Sequence, residues 1–271
     1  MSHIDASDRI ALMDAVHCLE HLSAGARVAH LAGAPIEKLV AMLPAKASET
    51  ISAAARRAIH GALKLSLKTL PVHDPRGGVP PPAASNWWHK AAGAASGAVG
   101  GAFGLAALAV ELPVSTTIMM RSIADVARGE GADLEDLQVQ LECVMVLGLG
   151  TRAKGDDAAE IGYFAAREAM SRAVGSAASH IAKHGLAREG APALVRLISI
   201  IGERYSVNIS EKVAAQLVPI AGAVGGAAIN TVFIDHFQDV ARGHFTVRRL
   251  ERKYGREVVQ AEYRDMVLQG R

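Results

Sequence analysis

The sequence predicts an all-α protein, a multi-helix bundle with two Gly/Ala-rich central helices. Apolar residues recur at three- and four-residue spacings along most of the chain, and no run alternates with the period of two that a half-buried strand requires. Half of the 271 residues are hydrophobic but only 4% are aromatic. The core must therefore be built from Ala, Leu, Val and Ile, and an Ala-rich chain with few aromatics favours helix over sheet. The third observation is a repeat. Gly-Ala-Val-Gly-Gly-Ala occurs at Gly97–Ala102 and at Gly222–Ala227, each copy inside a stretch without a charged residue, Ala91–Val110 and Val213–Ile234. Each is followed by Asp-Val-Ala-Arg-Gly, at Asp125–Gly129 and Asp239–Gly243.

In chain order, Asp8–Leu31 is amphipathic, with Ile10, Met13, Val16, Val28 and Leu31 on one helical stripe and Asp8, Asp14, Glu20 and Arg27 between them. After Gly33 and Pro35 a second helical pattern runs from Ile36 to Leu70, restarting at Pro44. Pro71–Ser85, with Pro71, Pro75, Pro80, Pro81, Pro82, Gly77 and Gly78, cannot sustain a helix. It divides the chain into an N-terminal helical arm (residues 1–70), a linker (71–86) and the main helical domain (87–271). Trp87, Trp88 and Lys90 then lead into the first uncharged stretch. Pro113 suits the first position of a helix over Val114–Arg128. Gly129 and Gly131 end that helix, and Asp133 is placed to cap the next, Leu134–Leu149. Helices follow near Asp156–His184 and Ala191–Arg204, then a break over Tyr205–Ser210 with Ser210 as an N-cap. The second uncharged stretch is started or kinked by Pro219, and Asp235–Lys253 and Arg256–Leu268 finish the chain as charged helices.

The small residues bear on solvent as well as on packing. Gly93, Gly97 and Gly101 fall four apart on one stripe, and Gly222 and Gly226 repeat that spacing, a pattern that lets helix backbones touch. Both uncharged stretches approach the roughly 20 residues that cross a bilayer core, and Trp87, Trp88 and Lys90 resemble an interfacial anchor. Yet Ala91–Val110 holds nine Ala and five Gly against two Leu and one Phe, which offers hydrocarbon little apolar area. Gln216, Pro219 and Asn230 interrupt the second stretch. The repeat therefore reads first as an internal helix–helix seam of a soluble or peripherally bound bundle. Its copies are not rigid duplicates, since 28 residues separate Gly97 from Asp125 but 17 separate Gly222 from Asp239.

A formal net charge of +2 with scattered Lys and Arg gives no nucleic-acid partner. Cys18 and Cys143 lie in apolar helical surroundings and read as buried thiols, without a disulfide framework. The polar start, Ser2, His3 and Asp5, is no signal peptide, so the expected location is cytoplasmic, peripheral to the inner face of the membrane.

Catalytic signatures are sparse, and no catalytic residue is assigned. His17, Glu20 and His21 fit the His-x-x-Glu-His arrangement in which two imidazoles bind Zn²⁺ and a Glu activates water. They read first as a solvent-edge helix face, as do His180 and His184 at the same spacing. No cofactor other than that zinc is implied. No Gly-x-Ser-x-Gly occurs, and neither glycine cluster ends in the Gly-Lys-Ser/Thr of a phosphate loop. More informative are Glu111, Arg121, Asp125, Asn230 and Asp235, polar groups set in apolar helices, with Arg121 spaced to pair with Asp125. A buried charge must find a partner. The five either lock the repeat units together or line a cleft where an amphiphile's head group binds.

Some of these residues carry a resemblance. Glu111-Leu112-Pro113, then Met119-Met120-Arg121-Ser122-Ile123-Ala124, then Gly131-Ala132-Asp133-Leu134 resemble the acidic-Leu-Pro, Leu-Arg-x-Ile and Gly-x-Asp succession of the EcsC protein family. Lys212, Val218-Pro219-Ile220, Gly222-Ala223, Gly225-Gly226-Ala227 and Asn230 resemble its C-terminal signature, over roughly Trp87 to Tyr254. Asp235-His236-Phe237 departs from it where a basic residue is more usual. The family is named for a protein encoded beside the ATPase and membrane subunits of an ABC transporter. The resemblance thus implies a fold and a membrane-linked setting, with a membrane lipid or a membrane protein complex as partner, but no reaction. The expected function is that of a non-enzymatic, membrane-associated accessory protein in ABC transport or envelope homeostasis. A soluble binder of a lipid or hydrophobic ligand is the alternative, and a metal-dependent hydrolase the third.

Overall fold

The computed structural model describes residues 4–20, 36–41, 43–69, 108–150, 162–185, 191–216 and 222–269, and among them every regular element is helical. The helices are α1 (Ala6–Glu20), α2 (Ile36–Ala41), α3 (Ala45–Thr69), α4 (Leu108–Gly129), α5 (Leu137–Leu149), α6 (Gly162–His184), α7 (Pro192–Gln216), α8 (Gly222–Tyr254) and α9 (Arg256–Gln269). The all-α bundle is thus observed. The helical restart beyond Pro44 is there too. The Pro-rich linker, Trp87, Trp88, Lys90, Gly93, Gly97, Gly101, Pro219 and His21 lie outside the described residues.

At 33 residues α8 is about 50 Å long, and it forms the axis. It packs against α1, α4, α5, α7 and α9, while α3 lies across α4 and α7, and α6 against α5 and α7. Three polar ties show that α4 and α8 run parallel: Glu111 reaches Asn230 through Lys212, Gln238 donates to Ser122 at 2.6 Å, and Arg249 donates to Glu130 at 3.0 Å. Helix α7 runs antiparallel to α4, since Lys212 meets Glu111 and Tyr205 meets Thr116. One apolar core of Ala, Leu, Ile, Val and Met extends from Leu12 and Ile51 in the N-terminal helices to Val259 and Tyr263 in α9.

Local chemistry fixes several boundaries differently from the sequence reading. Helix α4 begins at Leu108, so Pro113 lies within it rather than opening it. The turn before the proline is held by buried Leu112 and by the Glu111 ion pair, which outweigh the one backbone bond that proline removes. At the other end Gly131 sits at φ +70°, and Ala132 N–H donates to Ala127 while Gly131 N–H donates to Arg128. That is the Schellman pairing that only a residue tolerating the left-handed region makes cheaply. Asp136, not Asp133, caps α5, accepting from Gln138 N–H at 2.8 Å; Asp133 accepts from Glu135 N–H in the preceding turn. The predicted break at Tyr205–Ser210 is absent. Helix α7 continues because Tyr205, Asn208 and Ile209 are buried, and the Ser206 and Ser210 hydroxyls donate to helix carbonyls instead of capping. Likewise α8 starts at Gly222, well before Asp235. Gly255, at φ +91°, turns the chain from α8 into α9.

The repeated pentapeptide forms the same ion pair twice. Arg128 donates to Asp125 at 3.4 Å in α4, and Arg242 donates to Asp239 at 3.0 Å in α8. The glycines that end the two copies differ. A Cβ on Gly129 would meet nothing within 4 Å, whereas one on Gly243 would fall 2.7 Å from Leu19 Cγ and 3.1 Å from the Ala15 carbonyl. Gly243 is where α1 lies against α8.

Candidate functional site: a buried lysine between three helices

Lys212 extends from α7 toward α4 and α8 with 2% of its side chain exposed. Its ammonium donates to Glu111 Oε1 at 2.6 Å and to Asn230 Oδ1 at 2.8 Å. It also stands 5.7 Å from the centroid of the Phe233 ring, so the cation has an anion, an amide and a π-face around it. One turn or two below, Tyr205 OH and Thr116 Oγ1 share a hydrogen bond of 2.9 Å. Burial pushes the Tyr205 phenol well above its ordinary range, and the Glu111 carboxylate adds to that. Phe233, Phe237 and Tyr205 form the apolar wall behind the charges. A paired charge of this kind is tolerable in the interior only because each partner satisfies the other.

Position gives the cluster its interest. Glu111 lies three residues inside the start of α4, Lys212 four residues before the end of α7, and Asn230 eight after the start of α8. At about 1.5 Å per residue these ends lie roughly 5, 6 and 12 Å from the cluster. The first uncharged stretch runs directly into α4, and the second spans the passage from α7 to α8. Both stretches therefore adjoin the cluster, at one pole of the described helices.

Of the five polar residues singled out in the sequence, the structure brings Glu111 and Asn230 together. Asp235 is half-buried and lies roughly 140° further round α8 from Asn230. Arg121 is exposed, and Asp125 bonds Arg128 where the spacing predicts Arg121. Lys212, which unites the cluster, entered the sequence reading only as part of a family signature. Its one available signal was position, the last charge, next to Glu211, before 22 uncharged residues. Gly222 and Gly226 fall in the first turns of α8. In α1, His17 is exposed and Glu20 accepts from Tyr263 OH at 3.0 Å. Cys18 is half-buried and Cys143 fully buried, both as free thiols.

A second ionic network, unanticipated from the sequence, joins α5, α6 and α8. Arg167 donates twice to Glu251, at 2.9 and 2.6 Å, and Arg248 donates twice to Glu142, both at 3.1 Å. Between the pairs sits His244, fully buried, with Nδ1 2.8 Å from Tyr163 OH and Nε2 3.7 Å from Glu142. Burial alone would raise the Glu142 carboxyl, but His244 and Arg248 hold it down at about 2. Burial keeps the His244 imidazole below its ordinary value and pushes Tyr163 up to about 12. Two carboxylates and two guanidiniums balance here when His244 is neutral.

The fold and its charge clusters define an α-helical bundle whose parallel α4 and α8 are pinned through an antiparallel α7. The sequence model of the EcsC protein family matches residues 82–250, well over half of the chain, and the chain belongs to that family. No curated protein and no solved structure matches it.

Proposed function

We propose that this protein is a membrane-peripheral accessory protein, of the ABC-transport setting that the family resemblance implies, and that it meets the membrane at the Lys212 pole. The observation that carries the reading is convergence: the first uncharged stretch ends at Val110 beside Glu111, and the second, Val213–Ile234, starts beside Lys212 and contains Asn230, so both adjoin one buried Lys–Glu–Asn cluster. Trp87, Trp88 and Lys90 precede the first stretch, which supplies the aromatic and cationic anchors that interfaces favour. None of the described helices is long and apolar enough to cross a membrane, and the Ala- and Gly-rich composition of Ala91–Val110, which offers hydrocarbon little apolar area, supports peripheral binding rather than spanning. The cluster's part is to keep the bases of the two stretches together while its own charges stay neutralised and out of lipid.

Flotation with phosphatidylglycerol vesicles tests the proposal. Wild-type protein is expected to float, and Trp87→Ala/Trp88→Ala to remain largely at the bottom with an unchanged circular dichroism spectrum. Wild-type protein that never floats refutes the reading.

A further inference from the structure

We infer that an open groove between α6 and the start of α7 is a binding site for a phosphoryl group. Arg172, Ser176, Ser179, His180, Lys183 and His184, all of α6, line a groove of about 650 Å³, with Ala193 of α7 opposite. Their spacing of three and four residues sets them on one stripe of the helix, and the groove they line is shallow and open to solvent. No carboxylate is among the described lining residues. Arg172 and Lys183 join no ion pair among the described residues, whereas Arg167, on the same helix, is clamped by Glu251. Glu168, whose carboxyl feels the charge of Arg172, is itself bonded to Arg256 at 2.9 Å.

The helix dipole accounts for basic residues in a last turn, here Lys183 and His184, but its influence fades beyond that turn. It leaves Arg172, some three turns upstream, unexplained. His180 adds a buried Nε2 without a hydrogen-bond partner, its ring 4.9 Å from that of His184. An unsatisfied buried nitrogen costs free energy, and a turn of the ring toward the groove would give it a ligand oxygen as partner. Ser176 already donates to the Arg172 carbonyl at 2.9 Å, but a guanidinium fork, an ammonium, two imidazoles and the Ser179 hydroxyl still offer more donors than a carboxylate accepts, and match the three terminal oxygens of a phosphoryl group.

A phospholipid head group and a soluble phosphate compound share that chemistry. With the Lys212 pole facing the membrane, the reading proposed above on which this choice rests, lipid bound there does not reach the groove, because Ala193 stands 19 residues from Lys212 along α7, about 28 Å. The geometry assigns a soluble phosphate compound.

Calorimetric titration of the full chain with inorganic phosphate tests the assignment. Saturable low-millimolar binding is expected, weakened at least about tenfold in Arg172→Ala/Lys183→Ala. Arg57→Ala/Arg264→Ala removes the same charge from exposed positions elsewhere and is expected to bind as wild type. Absence of saturation, or equal loss in both double variants, overturns the site. A second arm uses phosphatidylglycerol vesicles in phosphate-free buffer. Vesicle binding that requires Arg172 and Lys183, without binding of inorganic phosphate, overturns the soluble assignment in favour of lipid.

Discussion

Lys212 carries a full charge to a position where 2% of its side chain is exposed, and it is held there by Glu111 and Asn230. Removing one partner of such a pair leaves the other buried and uncompensated, which is worse than removing both. Lys212→Met is therefore expected to lower stability by about 3–5 kcal/mol, and Lys212→Met/Glu111→Gln by less, measured as urea midpoints. A double variant no more stable than the single would show that the ion pair is not what makes Lys212 important. His244 gives the second residue-scale expectation. Its folded imidazole titrates below the unfolded value of 6.5, so its contribution is complete above that value. As pH falls below it the unfolded chain takes up a proton that the folded core resists, and stability drops. Around it, Tyr163, Arg167, Glu142, Arg248 and Glu251 already balance, and Glu142 remains ionised through this range. Going from about pH 7.5 to 5.5 should lower the urea midpoint, and His244→Asn should reduce that drop. A pH dependence unchanged by the substitution would contradict it.

At the scale of elements, the repeated pentapeptide separates what a sequence pattern records from what it conceals. The Asp–Arg ion pair recurs in α4 and α8 because it depends only on spacing within one helix. The glycines diverge because Gly243 depends on a helix more than 220 residues away in sequence, α1, whose Leu19 and Ala15 leave no room for a Cβ. Gly243→Ala is expected to cost about 1–3 kcal/mol, and Gly129→Ala to stay within about 0.5 kcal/mol. Hydrogen exchange should place the Gly243 effect in α1 and adjoining α8. Equal effects of the two substitutions would contradict the packing account. The same distinction explains which helices were legible. Spacing and punctuation located α3, α9 and the C-terminal end of α6 to within a residue or two. Pro113 and Tyr205–Ser210 misled because tertiary burial of Leu112, Tyr205 and Ile209 overrides a local breaker. The Asp5 and Asp8 bonds to Arg249, Lys253 and Tyr254, which fasten α1 to the end of α8, join residues more than 240 apart and left no local signal.

For the molecule as a whole, the two uncharged stretches are separated by more than 100 residues in sequence and yet adjoin one buried cluster, at one pole of the described helices. Polarity in an apolar context marked Glu111 and Asn230, but a helical period cannot say which of several such residues meet. Arg121, equally conspicuous in the sequence, faces solvent. The pole gains meaning if the Trp87–Lys90 segment that leads into it enters a bilayer interface. Trp87 and Trp88 are the only tryptophans in the chain, so intrinsic fluorescence reports on that segment alone. The most direct measurement is quenching of this emission by vesicles of brominated phosphatidylglycerol, with the bromines placed along the acyl chain. A blue shift, with quenching strongest for bromines nearest the head group, is the expected result. Emission that neither shifts nor quenches at saturating lipid would contradict a membrane-facing pole.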